Sequence, residues 1–225
     1  MEQLQLLDEY FFRVINSNGW SMMDDIMVWI SSKWLWIPLY LYLLYLLFKE
    51  YKESFIKILF AIGALVFVAD YGSVHLFKDI FERLRPCHIL EGIRVVDGCG
   101  GQYGFVSSHA SNAFALAFFV PLLLRKRLLF IILFSWAVLI GFSRVYLGVH
   151  YPFDIVGGMF WALFVSLLIY YIYCMKMKTF DWIWVIWLGL ICLWNFGWPE
   201  APPIADILIA VILSLFVIAY REIKK

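Results

Sequence analysis

The chain has 225 residues, of which 64% are hydrophobic and only 16% are charged, and its formal net charge is +1. Because a soluble domain has about 45–50% apolar and about 25% charged residues, this composition excludes an ordinary soluble protein and predicts an integral membrane protein. The sequence contains no basic tract with interleaved aromatic residues, so we expect no nucleic-acid partner. These properties leave the oligomeric state open.

Residues 3–16 form the first predicted element. Leu4, Leu7, Phe11 and Ile15 recur there at helical spacing, which predicts an amphipathic helix. Such a helix is typical of the membrane interface, where its apolar face enters the boundary between head groups and acyl chains. A helix that only caps the end of a bundle would give the same pattern.

Seven hydrophobic segments follow, each close to the roughly 17–25 residues that a transmembrane helix needs. They are 27–48, 55–77, 108–124, 128–147, 153–174, 182–198 and 204–220. The first requires Lys33 to reach the interface or to face protein, and the last two form either two spans or a re-entrant pair. The sequence therefore predicts an all-α, polytopic transmembrane helix bundle of about six to seven spans, in one domain over residues 1–225.

Basic residues cluster between the predicted spans and at the end of the chain. They are Lys49, Lys52 and Lys57, then Arg125, Lys126 and Arg127, then Lys176 and Lys178, and finally Arg221, Lys224 and Lys225. On a path of seven spans these groups all fall on one face, which the positive-inside rule makes cytoplasmic. The C-terminus is then cytoplasmic, while the loop at 87–107 and the turn at 148–152 lie on the outer face.

A first polar cluster continues the second predicted span, from Lys78 to Arg85 and Pro86. Seven residues are nearly two helical turns, so we expect Lys78 and Arg85 on one helix face, about 10 Å apart. Pro86 is expected to end this helix. Glu82 lies on the same stripe, where it is expected to brace both cations.

A second cluster, at Ser107, Ser108 and His109, opens the third predicted span. Serine side chains at the start of a helix cap free backbone amides, and such a terminus favours an anion. His109 is expected to face the same position. The pattern predicts an anion site at this helix start.

A third cluster lies at 143–154, with the sequence SRVYLGVHYPFD. Arg144 ends the fourth span, His150 lies in the turn, and Pro152 suits the first position of the next helix. Asp154 follows His150 by four residues, so it can accept a hydrogen bond from the imidazole ring. Cations, histidines and an aspartate that converge on the outer face indicate a bound multivalent anion, and phosphate fits best.

The three clusters resemble the three-part signature of the type 2 phosphatidic acid phosphatases (PAP2). That superfamily also includes glucose-6-phosphatase, bacterial lipid phosphatases and vanadium haloperoxidases. The matching residues are Lys78 and Arg85-Pro86, then Ser107 and His109, then Ser143-Arg144, His150 and Asp154, and the resemblance covers residues 55–174.

The second motif departs from the family pattern. The family usually has Pro-Ser-Gly-His where this chain has Val106-Ser107-Ser108-His109. Losing glycine adds a side chain where backbone amides approach the anion, and it would strain Ser108 if that position needed a positive φ. We expect the site to survive, because the Ser108 hydroxyl can itself donate.

The resemblance implies hydrolysis of a phosphomonoester or diphosphate without a metal or other cofactor. In this interpretation His150 attacks phosphorus to form a phosphohistidine, Asp154 orients its ring, and His109 protonates the leaving oxygen. The phosphate is bound by Lys78, Arg85, Arg144, Ser107 and Ser108. No acidic cluster of metal-ligand type accompanies the histidines, in agreement with a metal-independent site.

A span-rich fold indicates a lipid phosphate as substrate, reached from the bilayer. Undecaprenyl diphosphate, phosphatidylglycerol phosphate, phosphatidic acid and lipid A phosphate all remain open. We expect a bacterial inner membrane, with the active site facing the periplasm or exterior. Rival interpretations are an anion transporter, a vanadate-dependent oxidant, and a non-catalytic protein that has lost turnover through its altered second motif.

Cys87 and Cys99 share the loop that is predicted to lie outside. In an oxidising compartment they could form a disulfide. Free thiols are the alternative.

Overall fold

The computed structural model describes residues 2–174, and within that range all the regular elements are helical. The helices are α1 (Glu2–Asn16), α2 (Ser21–Ser31), α3 (Ile37–Glu50), α4 (Phe55–Gly72), α5 (Asp79–Phe81), α6 (Pro86–Ile89), α7 (Ser108–Leu124), α8 (Arg127–Tyr146) and α9 (Pro152–Cys174). Short 3₁₀ turns precede α3 and α4, and a π-helical turn, Ser73–Lys78, joins α4 to α5. The predicted spans 182–198 and 204–220 and the basic groups beyond 174 lie outside the described residues, as does part of the predicted single domain.

Three helical segments of the described range are long and apolar enough to cross a membrane: Lys52–Phe81, Arg127–Tyr146 and Pro152–Cys174. The first comprises α4, α5 and the short turns next to them, and the other two are α8 and α9. Helix α7 is a shorter apolar helix of 17 residues. They correspond to four of the predicted spans. The prediction of an all-helical membrane protein is therefore confirmed for the described range. The total of six to seven spans stays a prediction.

The predicted span 27–48 is wrong as one continuous helix. Ser21–Ser31 and Lys33–Glu50 meet at a 62° bend and form at most one broken span. The break is at Ser32, whose backbone is extended and whose hydroxyl accepts a hydrogen bond from the Trp34 amide. Pro38 lies in the first turn of α3, where a missing N–H is tolerated, so the chain starts a new helix there.

Helix α7 is the centre of the bundle and packs against α4, α8 and α9. Four of its alanines, Ala110, Ala113, Ala115 and Ala117, are at most 4% exposed. Small side chains let neighbouring helix backbones approach closely in a membrane. This packing brings the start of α7, the end of α8 and the start of α9 to the same end of the bundle, where the three polar clusters meet.

Helix α1 packs at that same end, against α8 and α9. Its buried face consists of Asp8, Phe12 and Asn16, which are 0–2% exposed. The apolar residues that suggested an interfacial helix, among them Leu4 and Phe11, are exposed instead. The helix therefore covers the end of the bundle, and its position in the membrane interface stays a prediction.

The loop between α6 and α7 crosses the same end of the molecule. A disulfide joins Cys87 and Cys99, whose Cα atoms are 5.9 Å apart. Asn16 of α1 fastens the middle of the loop, because its side-chain amide donates to Arg94 O at 2.8 Å and its carbonyl accepts from Arg94 N at 2.8 Å. The loop is therefore held to α6 by the disulfide and to α1 by Asn16.

Candidate active site

The segment that carries Lys78 and Arg85 is not the continuous helix that we expected. The helix ends at Phe81, because Glu82 is left-handed with φ 45°, and Arg85 is extended before Pro86. A residue before proline disfavours the helical region, which explains the extended backbone of Arg85. Glu82 is exposed and forms no ion pair with either cation, so the expected brace is wrong.

The extended segment lies beside the approach to α7. Leu84 and Tyr103 form an isolated antiparallel bridge, and the Gly104 amide donates to Arg83 O at 2.8 Å. These backbone contacts bring the first and second motifs together, although they are about twenty residues apart in sequence.

Lys78 reaches the start of α7 through the π-helical turn. Its amine donates to Ser108 Oγ at 2.7 Å, and Ser73 Oγ contacts the same hydroxyl. A π-helical turn changes the register of a helix and is frequent at functional sites. Ser108 is an ordinary first helical residue, since the non-glycine residues with positive φ in the described chain are Glu82 and Arg125.

Ser107, predicted as a phosphate ligand, is the N-cap residue of α7, and its contact with phosphate stays a prediction. Its side chain is fully buried and caps α7, accepting from the Ala110 amide at 3.5 Å. Its own amide donates to Asp154 O at 3.0 Å. Ser107 therefore joins α7 to α9, and Ser108 is the serine whose hydroxyl meets a cation.

His150 and Asp154 form a buried pair, each 1% exposed. Nδ1 of His150 is 3.3 Å from Asp154 Oδ2, and Nε2 is 2.9 Å from Nη1 of Arg85. A guanidinium can only donate, so Nε2 is the acceptor and the ring proton is on Nδ1. The pair thus holds His150 with the lone pair of Nε2 directed at the cation that would bind phosphate.

Burial holds the pKa of His150 well below its ordinary value, and the charges of Arg85 and Arg144 lower it further. The ring is therefore neutral at pH 7. A neutral imidazole, whose Nε2 carries no proton, is the form that acts as a nucleophile.

Gly104 lies against the same pair. A Cβ at this position would be 3.1 Å from Asp154 Oδ2, 3.2 Å from Arg85 Cγ and 3.6 Å from His150 Nδ1. The backbone before α7 can approach the pair this closely only because residue 104 has no side chain.

Arg144 and His109 face a cavity of about 870 Å³. Nη1 of Arg144 donates to Ser31 Oγ of α2, while its Nε is buried without a partner. The Nε of Arg85 is also buried without a partner. These two N–H groups are donors that an anion in the site could satisfy.

The cavity is mainly apolar and extends from His109 and Arg144 between α3, α4, α7 and α8. Its apolar walls include Leu43, Leu47, Ile62, Val120, Trp136 and Ile140. A space of this size and chemistry can hold the hydrocarbon part of a ligand whose charged group lies at the polar end.

The structure joins most of the predicted residues in one site. Lys78 contacts Ser108, Arg85 contacts His150, and His150 contacts Asp154, while His109 and Arg144 line the cavity. The sequence interpretation missed four residues that support them: Asp8, Ser31, Arg83 and Gly104. Asp8 gave no local signal, because α1 also contains the charged residues Glu9 and Arg13.

One trio of possible metal ligands occurs in the described range, at Cys87, His88 and Cys99. The two sulfur atoms are bonded to each other. It therefore lacks the thiolates that a cysteine site offers to a metal.

Comparisons with known proteins agree on one family. Residues 54–178 match the PAP2 superfamily. A lipid A 4'-phosphatase of Porphyromonas gingivalis is 31% identical over 199 residues, which cover 85% of this chain and 80% of that protein. A lipid A 4'-phosphatase of Bacteroides thetaiotaomicron is 36% identical over 168 residues, or 72% of this chain and 73% of that protein.

A comparison with solved structures finds a similar fold. A crystal structure of a transmembrane PAP2-type phosphatidylglycerolphosphate phosphatase from Bacillus subtilis matches with a TM-score of 0.62 at 24% identity, covering 80% of this chain and 90% of that one. The resemblance drawn from the three motifs is confirmed by the family match.

Proposed function

This chain belongs to the PAP2 superfamily, and on that premise we propose that it is an integral-membrane lipid phosphatase whose nucleophile is His150. The observation that carries the proposal is the buried pair of His150 and Asp154, with Nε2 of the histidine beside Arg85. The pair supplies an oriented, neutral nucleophile at a site of positive charge. The activity is phosphate release from a lipid.

In the first step Nε2 of His150 attacks phosphorus, forming an N–P bond as the bond from phosphorus to the lipid oxygen breaks. His109 gives its proton to that oxygen, so the lipid leaves as an alcohol or, from a diphosphate, as a monophosphate. The imidazolium that forms keeps its Nδ1 proton towards Asp154, whose negative charge stabilises it.

In the second step His109 takes a proton from water, and the water oxygen attacks phosphorus. The N–P bond breaks, inorganic phosphate leaves, and the electron pair returns to Nε2 of His150. Dividing one displacement into two steps lets the same face of the site perform both. The sum of the two steps is hydrolysis.

The phosphate oxygens are bound by the cations at the polar end of the cavity. Arg85 and Arg144 each have a buried Nε–H without a partner, and the amine of Lys78 is held by Ser108. Fixed donors of this kind stabilise the charge that develops in a phosphoryl transition state. The start of α7 adds the backbone amides of Ser108 and His109.

Among lipid phosphates, we propose a lipid A phosphomonoester as the preferred substrate. The Porphyromonas and Bacteroides relatives, which match over 85% and 72% of this chain, are both lipid A 4'-phosphatases. The cavity supports the proposal, because Asp70 and Asn112 line its polar end and Asn112 Oδ1 is buried without a partner. A sugar head group has hydroxyls that can donate to these oxygens, whereas a prenyl diphosphate has none.

We also propose that the active site faces the periplasm or exterior of a bacterial inner membrane, with the C-terminus in the cytoplasm. The basic connections at 49–57 and 125–127 lie at the opposite helix ends from His150. The positive-inside rule puts such connections in the cytoplasm. Cysteines introduced at Gly98 and Lys126 test this, since only the first should react with an impermeant maleimide in intact cells.

Phosphate release in detergent with EDTA tests the function. The parent and His150→Ala are compared on lipid A, undecaprenyl diphosphate, phosphatidylglycerol phosphate and phosphatidic acid. We expect release from lipid A that His150→Ala abolishes. Release from none of these lipids, or equal release by both proteins, would contradict the proposal. Such a result would favour a non-catalytic or anion-transporting protein.

A further inference from the structure

Arg83 connects the N-terminal helix α1 to the catalytic pair. Its Nη1 donates to Asp154 Oδ1 at 2.9 Å, and its Nη2 donates to Asp8 Oδ2 at 2.6 Å. The guanidinium also lies over the Tyr151 ring, 4.1 Å from its centre. One side chain thus bridges two carboxylates that are distant in sequence.

The two carboxylates are buried and fully paired. Asp8 is 0% exposed and Asp154 is 1% exposed. Asp8 Oδ1 accepts from the Phe153 amide at 2.9 Å, and Asp154 Oδ2 accepts from the Tyr151 amide at 2.9 Å. Burial raises the pKa of Asp8, while its hydrogen bond from Arg83 opposes the rise. Removing one member would leave a buried charge without its partner, which is costly.

The network determines how Asp154 can meet His150. Arg83 holds Oδ1 of Asp154, so Oδ2 is the oxygen that faces Nδ1 of His150. Without the Arg83 contact the carboxylate could tilt away from the ring, which would lengthen its 3.3 Å contact with Nδ1 and weaken the hydrogen bond that keeps the proton there. The orientation of Arg83 depends in turn on Asp8.

We propose that Asp8 and Arg83 are positioning residues which, through Asp154, keep His150 in the tautomer that attacks phosphorus. Helix α1 is then part of the catalytic apparatus. This inference deepens the proposed function and rests on it, because kcat is measured as phosphate release from the lipid.

Asp8→Asn tests the inference with little change in shape. The asparagine carbonyl can still accept from the Phe153 amide, but its amide N–H₂ faces the Arg83 guanidinium, donor against donor. We expect kcat to fall on the order of 10- to 100-fold, as is typical when a partner that orients a metal-ligating histidine is removed. KM should change little, because the affected interaction belongs to the chemical step.

Glu9→Gln is the matched control. Glu9 is the next residue of α1, but its carboxylate pairs with exposed Arg13 at 2.8 Å and does not contact the site. It should retain the parental kcat. Arg83→Lys should lose activity as Asp8→Asn does, and guanidinium ion should partly restore Arg83→Ala.

A double-mutant cycle separates positioning from general stability. The slow turnover of Asp154→Asn is measured with a substrate that carries radiolabelled phosphate. In that background Asp8→Asn should cause no further loss of kcat, since the path through Asp154 is already broken. An equal additional loss, or a parental kcat in Asp8→Asn, would overturn the inference while leaving the phosphatase activity standing.

The tautomer gives a readout that does not depend on turnover. The ¹⁵N shifts of His150 should report a proton on Nδ1 in the parent and in Glu9→Gln, and a mixture of tautomers in Asp8→Asn. Identical shifts in all three proteins would refute the inference even if the protein releases no phosphate.

Discussion

Gly104→Ala introduces one methyl group directly at the catalytic pair. Its carbon would be 3.1 Å from Asp154 Oδ2 and 3.2 Å from Arg85 Cγ. Both contacts are shorter than ordinary van der Waals separations, so these side chains must shift by a few tenths of an ångström. Overpacking of this kind costs typically about 1–3 kcal/mol. If the displaced pair bears that cost in the transition state, kcat/KM falls about 5- to 160-fold.

Gly98→Ala is the control for this prediction. Gly98 lies in the same loop before α7, has no positive φ, and has open space where a Cβ would be. Phosphate release from lipid A should therefore be parental in Gly98→Ala and reduced in Gly104→Ala, with equal amounts of folded protein by size-exclusion chromatography. Equal kcat/KM in the two variants would refute the close approach at Gly104.

Three further predictions follow from the loop, the pair and the phosphate ligands. Cys87→Ser opens a loop whose ends are 12 residues apart and should lower the free energy of unfolding by about 3 kcal/mol. An unchanged Tm of this variant in detergent would contradict the disulfide, as would alkylation of both cysteines of the parent protein without reductant. EDTA should leave activity unchanged, because the phosphate ligands are cations of the protein, and a loss that Mg²⁺ restores would contradict this. Burial holds the pKa of His150 well below its ordinary value of about 6.5, so its ring stays neutral as the pH falls through that value. The acid limb of kcat/KM should then have the unit slope of the substrate phosphate, whose second pKa is about 6, and a slope approaching two would show that His150 titrates with it.

The long apolar helices could be predicted from the sequence because their signal is local. The segment 108–124 coincides with α7, and 128–147 and 153–174 differ from α8 and α9 by one residue at their ends. Length and hydropathy determine such helices without knowledge of their neighbours. Local spacing also identified Asp154, four residues after His150, as its hydrogen-bond partner.

The helix breaks were harder to predict. Hydropathy falls only over Ser31, Ser32 and Lys33, too briefly to divide the span by itself, and the bend depends on a local hydroxyl-to-backbone hydrogen bond and on Pro38. The break at Glu82 depends on a left-handed conformation that no residue type there demands. Tertiary contacts of the following extended segment, including the bridge of Leu84 to Tyr103, compensate for it.

The supporting residues of the site could not be found by spacing at all. Asp8 and Arg83 are 75 residues apart, and Ser31 and Arg144 are 113 apart. Each pair exists only because the bundle brings separate helices to one end. The motif residues were recognisable because their order matches a family signature, whereas these partners lie outside it.

The phosphohistidine at His150 is the central claim, and trapping it is the most direct test. The protein is mixed with lipid A that carries a radiolabelled phosphate, quenched in alkali, where phosphohistidine persists, and digested for peptide mapping. We predict label on the peptide that contains His150, labile in acid, and absent from His150→Ala. Steady phosphate release with no labelled histidine, or with label on another residue, would contradict the mechanism.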